Sequence, residues 1–222
     1  MERQFDQSLK EVKRLLLEMG EKLEIAIDKS VKSLASLNGI MARDVLEKDH
    51  KIDELEDRID EKVAQLIATQ QPVAKDLRKL IAAMKIASDM ERMADLAANV
   101  AEVTVYFVEN DLKLFTELKD IPNMARITQK MVHDGINSYI DGNVEMSKKM
   151  AQTDDQVDDL YEKVVKELLQ MVFHKVESTD AEKDVALRLC FVARYLERIA
   201  DHATNIGESI VYIETGKRVD LN

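Results

Sequence analysis

A twelve-residue segment rich in acidic residues occurs twice in this chain. It reads E-R-M-A-D-L-A-A-N-V-A-E at residues 91–102 and E-R-I-A-D-H-A-T-N-I-G-E at residues 197–208, with seven of the twelve positions identical. Upstream of each copy lie two aspartates four residues apart, at positions 49 and 53 and at positions 154 and 158. Carboxylates at helical spacing can bind hard cations or form ion pairs. The duplicated acids are therefore the first candidates for a functional site.

Each copy continues an apolar stripe of a helix. Leu77, Met84, Glu91 and Ala98 recur every seven residues, so Glu91 takes a core-type position and Asp95 follows one turn later. A row of polar groups on an inward face is costly unless something satisfies them. The row continues with residues that we expect to hydrogen-bond either the acids or a neighbouring helix: Asn99 and Glu102 in the first copy, and Asn205 and Glu208 in the second.

The helical rise places the acids of each copy level with the upstream aspartates. Counted from the turn between the two helices, Asp53 lies about 18 residues before it and Glu91 about 19 after it. Asp49 and Asp95 each lie about 23 residues away. At about 1.5 Å per residue, both pairs fall at nearly the same height on neighbouring helices, and the second half gives the same result. The predicted metal ligands are Asp49, Asp53, Glu91 and Asp95 in one half and Asp154, Asp158, Glu197 and Asp201 in the other.

Four converging carboxylates repel one another and raise each other's pKa unless a cation lies among them. Oxygen-only ligand sets suit Mg, Ca, Mn and Fe, with Zn as a further candidate. The sequence thus predicts two carboxylate-bridged metal sites or small clusters, one per half. The alternative is that the acids are solvated or ion-paired helix faces, with Glu91 and Glu197 held by basic residues of adjacent helices.

Long amphipathic segments carry these acids. Apolar residues recur with the i, i+3, i+4, i+7 spacing of helices, and no stretch alternates with the period of a strand. The first half contains three such segments, at about 5–37, 40–70 and 74–108, with turns at Asn38-Gly39 and Gln71-Pro72. The second half repeats the plan at an offset of 105 residues, or 106 at the twelve-residue segment. The sequence therefore predicts an all-α fold of two tandem, pseudo-symmetric three-helix bundles.

The two bundles are predicted to span residues 1–108 and 109–222. The seam lies near Asn110–Pro122, where the pattern leaves open that a helix continues from one half into the other. The last turn of the second bundle is placed near Glu177–Thr179.

Composition excludes several classes of protein. The net charge of -11 leaves no basic excess to neutralise phosphates, so nucleic acid is not expected as a ligand. A single cysteine, Cys190, cannot form an intramolecular disulfide and suits a reducing compartment. The chain has no run of 18 apolar residues, and its N-terminus does not resemble a signal peptide. We therefore expect a soluble, cytoplasmic protein.

The histidines add little to the acidic sites. His202 has Leu96 as its counterpart, so it is not a shared ligand. His50 ends the sequence E-K-D-H, which resembles the Glu-x-x-His pattern of di-iron bundles, but the second half does not repeat it. We expect His133 to be a surface residue, with an approach to the metal site of its own half as the alternative, and His174 to be structural.

The duplicated E-R-x-A-D-x-A-x-N-x-x-E, the upstream D-x-x-[IV]-D-[ED]-L and the two bundles together resemble the PhoU family of bacterial phosphate-specific transport systems. The resemblance implies a regulator and not an enzyme. Its expected partners are the ATPase subunit of a phosphate ABC transporter and a membrane sensor histidine kinase, so that the protein is peripheral to the membrane through them. It would restrain uptake and the starvation response when phosphate is plentiful. The implied cofactors are metal ions, bound singly or in multinuclear clusters, with iron first and Mn, Zn, Mg or Ca as alternatives.

Two other interpretations stay open at this point. A carboxylate-bridged metal hydrolase or di-iron oxidase could be built on such a bundle, although the chain shows no repeated Glu-x-x-His, no nucleophile elbow and no phosphate loop. A helical scaffold without metal could use its acidic faces for partner binding alone. A homodimer is a further expectation, because paired bundles often bury a spare apolar stripe between copies.

Overall fold

The computed structural model describes residues 4–173 and 178–221 of the chain. Within these residues the chain forms seven α-helices and no strand. In chain order the helices are α1 (Gln4–Ser36), α2 (Gly39–Lys48), α3 (His50–Gln70), α4 (Ala74–Glu109), α5 (Asp120–Asp141), α6 (Val144–Phe173) and α7 (Asp180–Thr215). The predicted all-α fold of two tandem three-helix bundles is confirmed.

The first bundle consists of α1, of α2 and α3 in succession, and of α4. Helix α1 carries apolar residues along one stripe, including Val12, Leu16 and Leu23, and none of these three side chains is exposed. They pack against the apolar faces of α3 and α4, where Ile59 and Ile86 are equally buried. Burial of these continuous stripes holds the three helices together and leaves their charged faces in water.

The second bundle, formed by α5, α6 and α7, repeats the turn chemistry of the first. The side chain of Asn38 accepts a hydrogen bond from the backbone N–H of Met41 at 3.0 Å and so caps α2. Asn143 accepts the equivalent bond from Met146 at 3.1 Å and caps α6. Because a capping side chain fixes where a helix begins, the offset of 105 residues seen in the sequence reappears in the fold.

One predicted helix, at about 40–70, is divided in the structure. It breaks at Asp49, between α2 and α3, while the equivalent helix α6 runs unbroken through Asp154. The backbone of Asp49 keeps helical angles, but its carbonyl accepts from the N–H of Ile52 at 2.8 Å, three residues on. This tighter bond interrupts the regular i to i+4 pattern at that point.

The helix at the seam does not continue from one bundle into the other. Helix α4 ends at Glu109, and the chain is not helical again until α5 begins at Asp120. Asp111 takes a left-handed conformation with φ 50°, and the N–H of Leu112 donates to the carbonyl of Phe107 at 2.9 Å. A left-handed residue closed by this bond is a common helix stop, so the ending is set locally.

The two bundles pack side by side through α4 against α7 and α1 against α5. Their buried side chains form one hydrophobic cluster, in which Gly20 of α1 lies directly against Ile136 of α5. Because this core is shared, the proposed division between residues 108 and 109 stays a prediction. Of the earlier expectations, His174 and Glu177 lie outside the described residues.

Candidate functional site

The eight predicted acids lie on the facing sides of two helix pairs. In the first bundle they belong to α3 with its preceding Asp49 and to α4, and in the second bundle to α6 and α7. Each level pair expected from the helical rise is close enough for one carboxylate to raise the pKa of the other. The antiparallel packing of the neighbouring helices therefore produces the predicted alignment.

The first site is partly exposed. Asp49 and Glu91 are half-buried, whereas Asp53 and Asp95 are exposed. Burial raises the pKa of Asp49, and the nearby charges of Asp53 and Asp95 raise it further. Burial also raises the pKa of Glu91, and Asp95 adds to this effect, while Arg92 at 3.5 Å from the Glu91 carboxylate opposes it. The ionised forms of Asp49 and Glu91 are therefore less stable here than they would be in water.

The second site is more deeply buried. Asp154 is 5% exposed and Glu197 is 8% exposed. Burial raises the pKa of Asp154 to about 7, and the charges of Asp201, Asp158 and Glu197 contribute after it. Burial likewise raises the pKa of Glu197 to about 6, with Asp201 as the next cause. Near neutral pH, a bound proton or a nearby positive charge therefore stabilises these two carboxyl groups.

Several buried carboxylate oxygens lack a hydrogen-bond donor. Within the described residues, Oδ1 of Asp154, Oε2 of Glu197 and Oδ1 of Asp60 have no hydrogen-bond partner. An unsatisfied buried polar atom costs about 1–3 kcal/mol, and more when it is charged. These oxygens are available to a cation that enters between the helices.

A positively charged side chain of the protein itself, that of Arg194, lies at the second site. The guanidinium of Arg194 forms an ion pair with the Oε1 atom of Glu197 and lies 5.8 Å from the centre of the Tyr161 ring. In the first bundle the corresponding positions are Ser88 and Glu56, and Ser88 donates a hydrogen bond to Glu56. The second site therefore has an arginine where the first has a serine, and the first has a carboxylate where the second has a tyrosine.

Sequence reasoning missed two acids of the first site. Glu56 and Asp60 lie seven and eleven residues after Asp49, which is the same face of the helix. Burial raises the pKa of both, and Glu56 also raises the pKa of Glu91. Their counterparts are Tyr161 and Val165, so a search for repeated acids could not find them. The helical spacing alone was the available signal.

The polar residues that follow the acids are directed to other partners. Asn205 donates to Oδ1 of Asp89 on α4 at 3.3 Å, which is an interhelical hydrogen bond between the bundles. Glu208 accepts from the backbone N–H of Leu221 at 3.1 Å. Asn99 is half-buried and Glu102 is exposed. The structure thus gives Asn205 and Glu208 roles away from the acidic sites.

Two histidines contact residues outside the acidic sites, whereas His50 lies beside Asp49 and opposes the rise in the pKa of that acid. Nδ1 of His202 is 3.0 Å from Oδ1 of Asp89, so His202 contacts the other bundle. His133 is exposed and lies 3.3 Å from Glu24, as a surface residue would. His50 is exposed at the beginning of α3. Because the counterpart of His50 is Asp155, the chemistry that the two sites share among the described residues is that of oxygen ligands.

In the conformation described, residues 4–173 and 178–221 bring no group of three or more His, Cys, Asp or Glu side chains close enough to hold a metal ion. The acids are neighbours, but their side chains do not converge on one point. The assignment of the eight acids as metal ligands stays a prediction. None of the described helices has the length and hydropathy needed to cross a membrane.

Comparisons with known proteins agree along nearly the whole chain. The family model described as the PhoU domain matches twice, at residues 16–104 and 121–210. A relative from Clostridium acetobutylicum, named phosphate-specific transport system accessory protein PhoU homolog, is 37% identical over 220 residues, which is 98% of this chain and 97% of that protein. A homologue of the same name, PhoU homolog 1 of Thermotoga maritima, is 35% identical over 209 residues, or 94% of this chain and 86% of the relative.

Solved structures show the same architecture. PhoU from Pseudomonas aeruginosa superimposes with a TM-score of 0.88 at 29% identity, covering 96% of this chain and all of that one. The phosphate transport system regulatory protein PhoU from Streptococcus pneumoniae gives a TM-score of 0.87 at 30% identity, covering 98% of this chain and 100% of that one. With two matched domains, full-length relatives and the shared fold, this chain belongs to the PhoU family.

Proposed function

We propose that this protein regulates phosphate uptake and the phosphate-starvation response as a metal-binding adaptor in the cytoplasm. In this role it links the ATPase subunit of a phosphate ABC transporter to a sensor histidine kinase and restrains both when phosphate is plentiful. Membership of the PhoU family over nearly the whole chain carries the proposal. The relatives are named accessory and regulatory proteins of phosphate transport, which favours a regulator over an enzyme.

The metal part of the proposal rests on the orphaned carboxylate oxygens. Asp154 is nine-tenths buried, its Oδ1 atom has no hydrogen-bond partner among the described residues, and its pKa is raised to about 7. A group in this condition is stabilised by a positive charge beside it. Oxygen donors from facing helices match the preference of hard cations such as Fe, Mn, Mg and Ca. Their oxygen chemistry therefore suits a metal ion, and binding one would require these side chains to come closer together than they are in the described residues.

The bound ion would supply positive charge where the fold places repelling negative charges. Asp154, Asp158, Glu197 and Asp201 would hold it in the second bundle. In the first bundle the ligands would be Asp49, Asp53, Glu91 and Asp95, with Glu56 as an added candidate. Because each set joins two helices, neutralising it would hold the helix faces in one arrangement. A fixed acidic face is what an adaptor needs to present to two partners in succession.

A binding assay with the cognate ATPase subunit and the cytoplasmic part of the cognate kinase tests the proposal. The protein loaded with Mn²⁺ is compared with protein treated with chelator and with an Asp95→Ala/Asp201→Ala variant. We expect both partners to bind the loaded protein, and binding to weaken roughly tenfold without metal. Absence of binding to either partner would contradict the adaptor function. Equal binding with and without metal would reduce the ion to a structural role.

A cellular assay tests the direction of regulation. In a strain that lacks the protein, phosphate-starvation genes should be expressed in phosphate-rich medium, and the wild-type chain should restore repression. Failure of the wild-type chain to restore repression would contradict the regulatory function. Turnover of phosphate esters by the metal-loaded protein, lost in the Asp95→Ala/Asp201→Ala variant, would instead support a carboxylate-bridged metalloenzyme. A homodimer stays a prediction that sedimentation can test.

A further inference from the structure

A groove rich in lysine opens on the first bundle, beside the first acidic site, and Asp49 of that site also lines it. Helices α1, α2 and α3 enclose about 290 Å³ there. Its walls carry Lys22, Lys29, Lys48 and Lys51, and its floor is apolar, with Val45 and Ile52 buried beneath. Four lysines around an apolar floor are unusual on a chain whose net charge is -11. The groove is therefore the strongest basic feature that the acidic sites do not explain.

Two of the four lysines share one carboxylate within the groove, and the other two form no ion pair within the described residues. The carboxylate of Asp44 lies 2.7 Å from Nζ of Lys29 and 2.5 Å from Nζ of Lys48, and these bonds lower the pKa of Asp44 to about 2. Neither Lys22 nor Lys51 has an ion-pair partner in the part of the chain that the structure describes. Lys22 is also half-buried. Its charge is thus available to a ligand that enters the groove.

The equivalent groove of the second bundle supplies an internal comparison. It lies between α5 and α6, encloses about 410 Å³ and is lined by Lys130, Asp134 and Lys149 among other residues. The positions that match Lys22 and Lys51 are there Ile127 and Gln156. The fold therefore builds this groove twice, whereas lysines at these two positions belong to the first copy alone.

The surroundings of the groove indicate what would fill it. Ile25 lies on its rim and is 55% exposed, although its counterpart in the second groove is Lys130. A small hydrated anion such as phosphate would leave the apolar rim and floor unused. A second copy of this chain carries the same net charge of -11, which gives no specific reason for it to occupy this groove. An acidic peptide with an apolar side chain satisfies both the lysines and the apolar surface.

We propose that this groove binds an acidic segment of a partner protein, with the segment's carboxylates on Lys22 and Lys51 and an apolar side chain against Ile25 and the floor. The inference rests on the proposed adaptor function for the existence of a partner. The binding chemistry of the groove can be tested without that partner.

Fluorescence anisotropy with a dye-labelled six-residue peptide of alternating Glu and Leu tests the groove directly. We expect the wild-type protein to bind this peptide. Lys22→Glu/Lys51→Glu should weaken binding roughly tenfold or more, because it places like charges opposite the peptide. Lys22→Gln/Lys51→Gln should weaken it less, and Lys22→Arg/Lys51→Arg should preserve it. Thermal unfolding shows that each variant is folded, and the Gln pair keeps the test valid if the Glu pair does not fold.

The second groove provides the matched control. Lys130→Glu/Lys149→Glu changes the net charge by the same amount at the equivalent place, and we expect it to change peptide affinity by no more than about twofold, as a long-range effect. No peptide binding by the wild-type protein would overturn the proposal, as would equal losses in the two Glu pairs. Displacement of the peptide by millimolar inorganic phosphate but not by sulfate would overturn it in favour of a small-anion site.

The cognate transporter subunit and kinase then separate this inference from the proposed function. Peptide binding that depends on Lys22 and Lys51, together with no binding of either partner, would support the groove and contradict the adaptor function. Partner binding that the Lys22→Glu/Lys51→Glu variant keeps unchanged would support the adaptor function and overturn the groove as its docking surface.

Discussion

At the scale of single residues, the acidic sites hold ionisable groups in surroundings that disfavour their charge. Asp154 shows this most clearly, because it is buried, has an orphaned oxygen and lies beside Asp158 and Asp201. Such a group is poorly stabilised as an anion and well stabilised by a proton or a cation. The burial of these acids therefore lowers the folding stability of the metal-free protein at the positions where metal binding is proposed.

The stability of the metal-free protein should therefore fall as pH rises. The pKa of Asp154 is about 7 in the folded protein and about 3.9 in an unfolded chain. The folded state holds the additional proton between these values, so its contribution to stability is complete below pH ~4 and is lost as pH rises through 7. Glu197, with its pKa at about 6, acts in the same direction. Urea denaturation in chelator at pH 5.5 and pH 8 measures the effect.

The variant Asp154→Asn is the companion to this measurement. We expect it to be more stable than the wild type at pH 8 in chelator, by about 1–3 kcal/mol, because the unpaired charge is gone. Asp158→Asn, at an exposed position, should change stability much less. A wild-type protein that is equally stable at both pH values would contradict the burial of ionised carboxylates at this site.

Arg194 should control how strongly the second site binds a cation. Its guanidinium pairs with Glu197, so it competes with any ion for the same carboxylate. We expect Arg194→Gln to tighten Mn²⁺ binding at this site by roughly tenfold. Ser88→Arg should weaken Mn²⁺ binding at the first site. Calorimetric titration measures both, each in a background where alanine replaces the aspartates of the other site. An unchanged affinity in both variants would contradict this role.

The sequence predicts the alignment of the acids but not the difference between the two sites. The level pairs follow from helical rise and from the position of the turns, and both are local properties. Glu56, Asp60 and Arg194 were missed because their counterparts are Tyr161, Val165 and Ser88. A comparison that looks for charged residues common to both halves cannot find those that occur in one half alone. Whether the acids bind metal depends on side-chain rotamers and on the ion, which spacing does not encode.

At the scale of elements, helix ends are set by individual residues. Gly142 ends α5 in a left-handed conformation with φ 69°. Gln71 ends α3 with φ 47°, although it has a side chain, and it is exposed. A left-handed conformation costs a residue with a Cβ roughly 1–2 kcal/mol. Both residues end a helix in the same conformation, but this conformation strains the backbone of Gln71 and not that of Gly142.

Exchanging the residue types at these two ends should have opposite effects. We expect Gln71→Gly to stabilise the protein by about 1 kcal/mol and Gly142→Ala to destabilise it by a similar amount. Urea denaturation of the two single variants measures both. A loss of stability in Gln71→Gly would show that the side chain contributes more than the strain removes.

The sequence also predicts most helix bounds, with one informative exception. The turn predicted at Asn38-Gly39 is present, and in the structure Asn38 and Asn143 each cap the helix that follows. The break at Asp49 was missed because its sequence keeps helical periodicity on both sides, and the backbone of Asp49 is itself helical. A change of a single hydrogen bond leaves no trace in a pattern of apolar residues. The break lies between Lys48 and Lys51, two of the four lysines in the walls of the groove.

At the scale of the whole molecule, a polar contact joins the bundles inside their shared interface. Asp89 of α4 is 8% exposed and accepts from Asn205 of α7 at 3.3 Å, and His202 of α7 lies 3.0 Å from it. The equivalent of Asp89 is Tyr195, so this contact has no copy elsewhere in the repeat. A buried polar contact of this kind fixes how two helices are aligned.

A double-mutant cycle on this contact tests its contribution to the interface. We expect His202→Ala to destabilise the protein by about 1–3 kcal/mol, because it removes one of the two side chains that contact the buried Asp89 carboxylate and leaves Asn205 as the other. Combined with Asp89→Ala, it should show a coupling of about 0.5–3 kcal/mol in urea denaturation. Additive losses in the double variant would mean that the two side chains do not interact in solution.

The central claim is that both bundles carry a carboxylate metal site. Elemental analysis by mass spectrometry of the untagged, natively purified protein tests it most directly, beside the Asp95→Ala/Asp201→Ala variant and after loading each with Fe, Mn, Zn, Mg or Ca. We predict metal in the wild-type protein, with iron first, and its loss from the variant. Absence of metal from the wild-type protein after loading, or equal metal in both proteins, would contradict the claim.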